Sequence, residues 1–83
     1  MEQSEIVAKV KDYIEKNFIY DQETNLKVDE SLLDNGLVDS TGILEVVSFI
    51  EETFSISIED EEMVPDNLDS VNKIASFIVR KIQ

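Results

Sequence analysis

The sequence holds no cysteine, no histidine and no tryptophan, and only one proline and two glycines in 83 residues. Without cysteine there is no disulfide, no thiolate metal site and no cysteine nucleophile, so any thiol chemistry has to come from a group added to the chain. Without histidine the usual general base near neutral pH and the commonest metal ligand are gone. A serine hydrolase is a poor third reading, because a serine with neither histidine nor an obvious lysine base has nothing to activate it. No apolar stretch approaches the roughly 20 residues a membrane-spanning helix needs. Met1-Glu2-Gln3 lacks the basic start and apolar run of a secretory signal. A cytoplasmic, monomeric protein without catalytic or metal-ligating residues is expected, folded as a single domain over residues 1–83.

Positive charge is also scarce. Seven Lys and Arg face nineteen Asp and Glu, a formal charge of −12. That disfavours nucleic acid and anionic membranes as partners and favours proteins with basic patches. The distribution is more informative than the total. No Lys or Arg occurs between Lys27 and Lys73, an interval that includes Asp34, Asp39, Glu45, Glu51, Glu52 and Glu59 to Glu62. Such a one-signed middle third serves as a solubilising surface or as a docking surface.

In chain order, Ile6, Val10, Tyr13, Ile14 and Phe18 recur at helical spacing and predict a first helix over Ser4 to Phe18. A long connection follows from Ile19 to Val38, tied to the core by Leu26, Val28, Leu32, Leu33 and Leu37. Within it Asp21-Gln22-Glu23-Thr24-Asn25 has the start of a calcium loop, but Leu26 and Leu32 stand where that loop needs glycine and glutamate, which excludes it. Gly36 suits a turn of positive φ. Asp39 is then an N-cap for a second helix over Ser40 to Phe54. Its buried stripe is Ile43, Val46, Val47, Ile50 and Phe54, and Thr41, Glu45, Ser48 and Glu52 share a polar face. Gly42 in the first turn is either neutral or the place where something approaches the backbone closely. Ser55 to Ile58 reads as loop. Ser57 and the acids that follow predict a short third helix stopped by Pro65, with Asp66-Asn67 as a turn and Leu68 filling the core. Asp69 or Ser70 caps a fourth helix through Ile82, with Val71, Ile74, Ala75, Ile78 and Ile82 on one face. The fold class is all-α: a four-helix bundle of three main helices and one short third helix, with a long first loop.

Asp-Ser at a helix start is ordinary grammar, and Asp69-Ser70 repeats it within the same chain. Context separates the two pairs. Ser40 follows a leucine-rich loop with a glycine turn and opens a helix flanked by acids. Its hydroxyl should be exposed where backbone N–H groups and the helix dipole meet a phosphodiester. The stretch Leu33-Asp34-Asn35-Gly36-Leu37-Val38-Asp39-Ser40 resembles the 4′-phosphopantetheine attachment motif of acyl carrier proteins. The resemblance continues through Glu45, Phe49 to Phe54 and Ile58, and resumes at Asn67 to Val71 with Ile74 and Ile78, so it covers nearly the whole chain.

That resemblance implies an acyl-carrier-like bundle in which a phosphopantetheinyl transferase moves the arm from coenzyme A onto Ser40. The arm's thiol then bears an acyl or aminoacyl group loaded by a ligase and handed to downstream transferases. By the same resemblance Asp39, Glu45, Glu51, Glu52 and Asp60 contact basic patches on those partners, with Thr41 and Ser48 on the same surface. An apolar cargo could enter near Val46, Val47, Ile50, Ile58 and Ile74, which otherwise are simply core. Thr41, Gly42 and Ser48 depart from fatty-acid carriers, making the partner-facing surface more polar, as in carriers dedicated to one specialised pathway. The competing reading is an unmodified acidic helical module that docks on a basic protein, with Ser40 only opening a helix.

Overall fold

The computed structural model describes residues 2–19 and 26–82, and the excluded calcium-loop stretch Asp21 to Asn25 lies outside them. Among the described residues four α-helices run in the order α1 (Gln3–Phe18), α2 (Ser40–Phe54), α3 (Pro65–Leu68) and α4 (Val71–Ile82), with a 3-10 turn at Asp60–Glu62 before α3. No strand occurs among the described residues, and Ser55 to Ile58 is loop as expected.

The stripe of α1 explains its placement. Ile6, Val10 and Ile14, each four apart, are fully buried. Lys11–Glu15 at 3.3 Å and Lys16–Asp12 at 3.1 Å brace the outer face at i,i+4 spacing. The helix begins one residue earlier than the sequence suggests, because the carbonyl of Glu2 already accepts from the N–H groups of Glu5 and Ile6.

In α2, Val46, Val47 and Ile50 are buried, while Ile43 and Phe54 are half-buried at the two ends of the stripe. The helix stops at Ser55, the one non-glycine residue of positive φ (+56°) among those described. α4 is the hub: α1, α2 and α3 all pack on it. Val71, Ile74, Ala75 and Ile78 are buried as the spacing predicts. Phe77 is buried beside them, whereas Ile82 emerges at 40% exposure as the stripe runs off the end of the bundle.

The long connection contributes to the core rather than covering it. Leu26, Leu32 and Val38 are buried in the same cluster as the helix stripes, and Leu68 fills it from α3. That arrangement repays the backbone entropy of ordering a segment with no helix of its own.

The short third helix is corrected in two respects. The segment from Ser57 forms only a single 3-10 turn, capped by Glu59 and closed by its reciprocal hydrogen bonds with Glu62. Pro65 does not end a helix but begins one. Lacking an N–H, it suits the first helical position, and Asp66 and Asn67 lie inside α3 instead of forming a turn. The Asp69/Ser70 alternative is also settled. Ser70 Oγ accepts from the Lys73 N–H at 3.0 Å, so Ser70 caps α4.

Candidate functional site

The first turn of α2 is built from the loop before it. Gly36 adopts φ +71°, which suits glycine, and a side chain would strain it. The turn brings the Leu37 and Val38 N–H groups onto the carbonyl of Leu32 at 3.0 and 3.2 Å. Val38 is thereby buried, and Asp39 follows in extended conformation. Asp39 Oδ1 accepts from the Gly42 N–H at 2.7 Å, and its carbonyl accepts from the Ile43 N–H at 3.0 Å. The sequence assigns Asp39 this capping role correctly.

Ser40 is therefore the first residue of α2, and it is exposed. With Gly42 and Ile43 satisfied by Asp39, the N–H groups of Ser40 and Thr41 have no acceptor among the described residues. An anionic group on Ser40 Oγ would meet those donors and the positive end of the helix dipole.

Two clefts flank Ser40. On the α1 side, one of about 340 Å³ is lined by Phe18, Gly36, Leu37, Asp39, Thr41, Gly42 and Glu45. On the α3 side, one of about 310 Å³ is bounded by Ser40 itself with Leu33, Ile43, Leu44, Met63, Val64, Pro65 and Leu68. That second cleft is apolar apart from Ser40. Two of its side chains, Leu44 and Val64, are large hydrophobics left 57% and 40% exposed. The sequence reading assigned no site role to Leu44, Met63 or Val64, and made Pro65 only the end of a helix. The available signal was Leu44, an apolar residue one position outside the core stripe of α2.

The expected partner-facing residues divide. Thr41, Glu45, Ser48 and Glu52 are exposed together along α2. Glu45, Ser48 and Glu52 line a groove of about 420 Å³ with Tyr13, Asn17 and Phe49. Its floor is a stacked pair, Tyr13 and Phe49, with ring centroids 4.0 Å apart. Burial, and then the charge of Glu45, push the Tyr13 hydroxyl above the ordinary phenol pKa, and that hydroxyl donates to the Glu45 carbonyl at 3.3 Å. Asp60 is exposed in the 3-10 turn. Glu51 is half-buried, and its carboxylate accepts from the Ile58 N–H at 2.9 Å, so it also anchors the loop after α2. Asp39 is exposed but engaged as the cap.

The residues expected around an apolar cargo, Val46, Val47, Ile50, Ile58 and Ile74, are at most 7% exposed and belong to the core cluster. None of them lines the apolar cleft beside Ser40. No group of acidic residues that could hold a metal ion occurs among the described residues. No helix among those residues is long and apolar enough to cross a membrane.

No family model matches the chain. Curated relatives do. A D-alanyl carrier protein of Streptococcus sanguinis is 34% identical over 74 residues, 89% of this chain and 91% of that protein. An acyl carrier protein of Clostridium acetobutylicum is 33% identical over 73 residues, 88% of this chain and 91% of the relative. An acyl carrier protein of Bdellovibrio bacteriovorus is 34% identical over 76 residues, 92% of this chain and 94% of the relative. With near full-length matches of that strength and an all-helical bundle, the chain belongs to the acyl carrier protein family.

Proposed function

We propose that the chain bears an acyl or aminoacyl group, as a thioester, on a 4′-phosphopantetheine arm attached to Ser40, and presents it to enzymes of a specialised biosynthetic pathway. The observation that carries this reading is the position of Ser40: exposed at the first residue of α2, beside unengaged N–H donors and at the edge of an apolar cleft. When bound, the arm supplies the thiol that this cysteine-free chain lacks.

The chain's own residues hold and display. Asp39 and Gly42 fix the helix start. The N–H groups of Ser40 and Thr41 face the attachment point. Ile43, Leu44, Met63 and Val64 offer an apolar surface to what is carried. Entry of cargo among Val46, Val47, Ile50, Ile58 and Ile74 requires α2 and α4 to part, since those side chains are already packed together. The chain has neither histidine nor cysteine, and we assign it no catalytic step of its own.

The partners in this reading are a phosphopantetheinyl transferase, a loading ligase and downstream transferases. Their basic patches meet Asp39, Thr41, Glu45, Ser48, Glu52 and Asp60, with Glu51 contributing what its bond to Ile58 leaves free. The polar Thr41 and Ser48 on that face favour a dedicated pathway over general fatty-acid traffic. The relatives' names span both acyl and D-alanyl cargo.

The test is intact mass after incubation with coenzyme A and a broad-specificity phosphopantetheinyl transferase. The parent gains one phosphopantetheine and Ser40→Ala gains none. Loading that persists in Ser40→Ala moves the site, with Ser70 first to be examined. A folded parent that no transferase loads supports the acidic docking module instead, in which partner binding needs Glu45 and Glu52 and ignores Ser40.

A further inference from the structure

Asp69, between α3 and α4, is remote from Ser40 in sequence, yet it holds the attachment loop at three points. Ser31 Oγ donates to its Oδ2 at 2.7 Å, the Leu33 N–H donates to its Oδ1 at 3.0 Å, and the Leu32 N–H donates to its carbonyl at 2.7 Å. The same Ser31 hydroxyl accepts from the Asp34 N–H at 2.9 Å. Two residues further along the loop, the Gly36 N–H donates to the Leu33 carbonyl at 3.1 Å. Leu32 passes the constraint on, since its carbonyl takes the N–H groups of Leu37 and Val38. Val38 in turn lies against the first turn of α2, its Cγ1 only 3.0 Å from where a Cβ on Gly42 would stand. The steps from Asp69 to Leu32 and from Leu32 to Val38 are hydrogen bonds, and Val38 leads directly into the cap residue Asp39.

The loop has no helix of its own between Leu26 and Asp39, so these bonds, together with the burial of Leu26, Leu32 and Val38, carry its order. Two of the three involve a carboxylate, which makes them stronger than neutral ones. A neighbouring tie, from Asn72 to Val28 and Asp29, fastens an earlier part of the loop.

We propose that Asp69 is a positioning residue for the modification of Ser40: by fixing residues 31–33 it sets the turn that delivers the Ser40 hydroxyl to the transferase. This rests on Ser40 being the loaded residue. A separate enzyme that attaches a group to one hydroxyl reads that hydroxyl's placement, and a misplacement on the order of 1 Å can cost about a hundredfold in rate.

The experiment compares the parent with Asp69→Ala, Asp69→Asn, Ser31→Ala and a core control, Val10→Ala, which weakens the fold on α1 away from the loop. Two quantities are read in the folded full-length proteins: the kcat/KM of loading by the transferase, and hydrogen exchange at the Leu37 and Val38 amides before loading. Asp69→Ala is expected to speed exchange at those two amides and to lower kcat/KM by roughly tenfold to a hundredfold. Asp69→Asn, which keeps one acceptor oxygen, falls in between, and Val10→Ala loads like the parent. Loading by Asp69→Ala no slower than by Val10→Ala overturns the role of Asp69 while leaving the carrier reading intact. If Asp69→Ala does not fold, Ser31→Ala decides: loading and exchange at the parent's level overturn the proposal. A folded parent that accepts no arm overturns the carrier reading, and the role in loading falls with it.

Discussion

Gly42 shows how one residue couples helix grammar to the site. A Cβ there would stand 2.9 Å from Phe18 Cε1, 3.0 Å from Val38 Cγ1 and 3.3 Å from Asp39 Oδ1. Two of those atoms belong to packed side chains and the third to the cap itself. Gly42→Ala gains up to about 1 kcal/mol of helix propensity and loses about 1–3 kcal/mol to overpacking. The net expectation is a destabilisation of about 1 kcal/mol, a fall of roughly 4–8 °C in Tm for a chain of this size. Thermal unfolding followed by circular dichroism checks it, and a rise in Tm would mean that Phe18 and Val38 yield freely. The sequence posed the alternative at Gly42 without deciding it. Helix propensity is local, whereas the approach of Phe18 from α1 is set by tertiary packing. Asp39 and Gly36 were legible, since a cap and a positive-φ turn are local devices with few eligible residue types. Leu44 was not, because an apolar residue beside a core stripe looks the same whether it ends in the core or at a cleft.

Among the elements, α1, α2 and α4 were readable from periodicity, and the segment between α2 and α4 was only half so. The reason lies in Glu59 to Glu62, where four consecutive acids look like the start of a helix but two of them bond each other and close the turn at once. What then holds this segment is long-range and invisible to periodicity. Lys81 Nζ reaches both oxygens of Glu62 at 2.9 and 3.2 Å, Asn67 Nδ2 donates to the Glu62 carbonyl at 2.9 Å, and Arg80 donates to Asn67 Oδ1 at 2.9 Å. The end of α4 thus clasps the wall of the apolar cleft. Glu62 is held below the ordinary carboxylate range, first by the Glu59 N–H and then by Lys81. For Asp69, burial works against its charge. The bonds from Ser31 and Leu33, then the nearby Lys73 and the Leu32 N–H, still leave its carboxyl lowered. A carboxyl whose pKa is lower folded than unfolded adds stability that is present above the unfolded value and lost as pH falls through the folded one. Stability is therefore expected to drop on acidification below about pH 4, the ordinary carboxylate range, with both clasps releasing there. Titration of the side-chain carboxyl carbons by NMR reads each group separately. In Lys81→Met the Glu62 midpoint should move up towards its ordinary value while that of Asp69 stays put. A Glu62 midpoint indifferent to Lys81 would show that the Glu59 N–H alone sets it.

At the scale of the whole molecule, the charge of −12 is distributed so that its relief is uneven. The ion pairs among the described residues lie within α1 and between α4 and Glu62. Of the acids in the interval from Lys27 to Lys73, which has no Lys or Arg, Glu62 is paired with Lys81, whereas Asp39, Glu45, Glu52 and Asp60 form no ion pair among the described residues. The surface that meets basic partners in the proposed function is thus also the one that repels itself in the free protein. In that proposed function the fold trades stability for rapid, salt-sensitive encounter, and both sides of the trade respond to screening. Between about 0.01 M and 0.15 M salt the Debye length falls from roughly 30 Å to roughly 8 Å, which removes most repulsion between exposed acids. Tm is expected to climb over that range by several degrees, since relief of about 1 kcal/mol corresponds to roughly 4–8 °C here. A divalent cation should produce the same rise at lower concentration. Glu45→Gln and Glu52→Gln together should raise Tm at low salt and flatten its salt dependence, because they remove the unpaired acids from the open face of α2. A Tm that is flat in the parent over this range would mean that the acids are too dispersed to oppose folding, and their clustering around Ser40 would then bear on recognition alone.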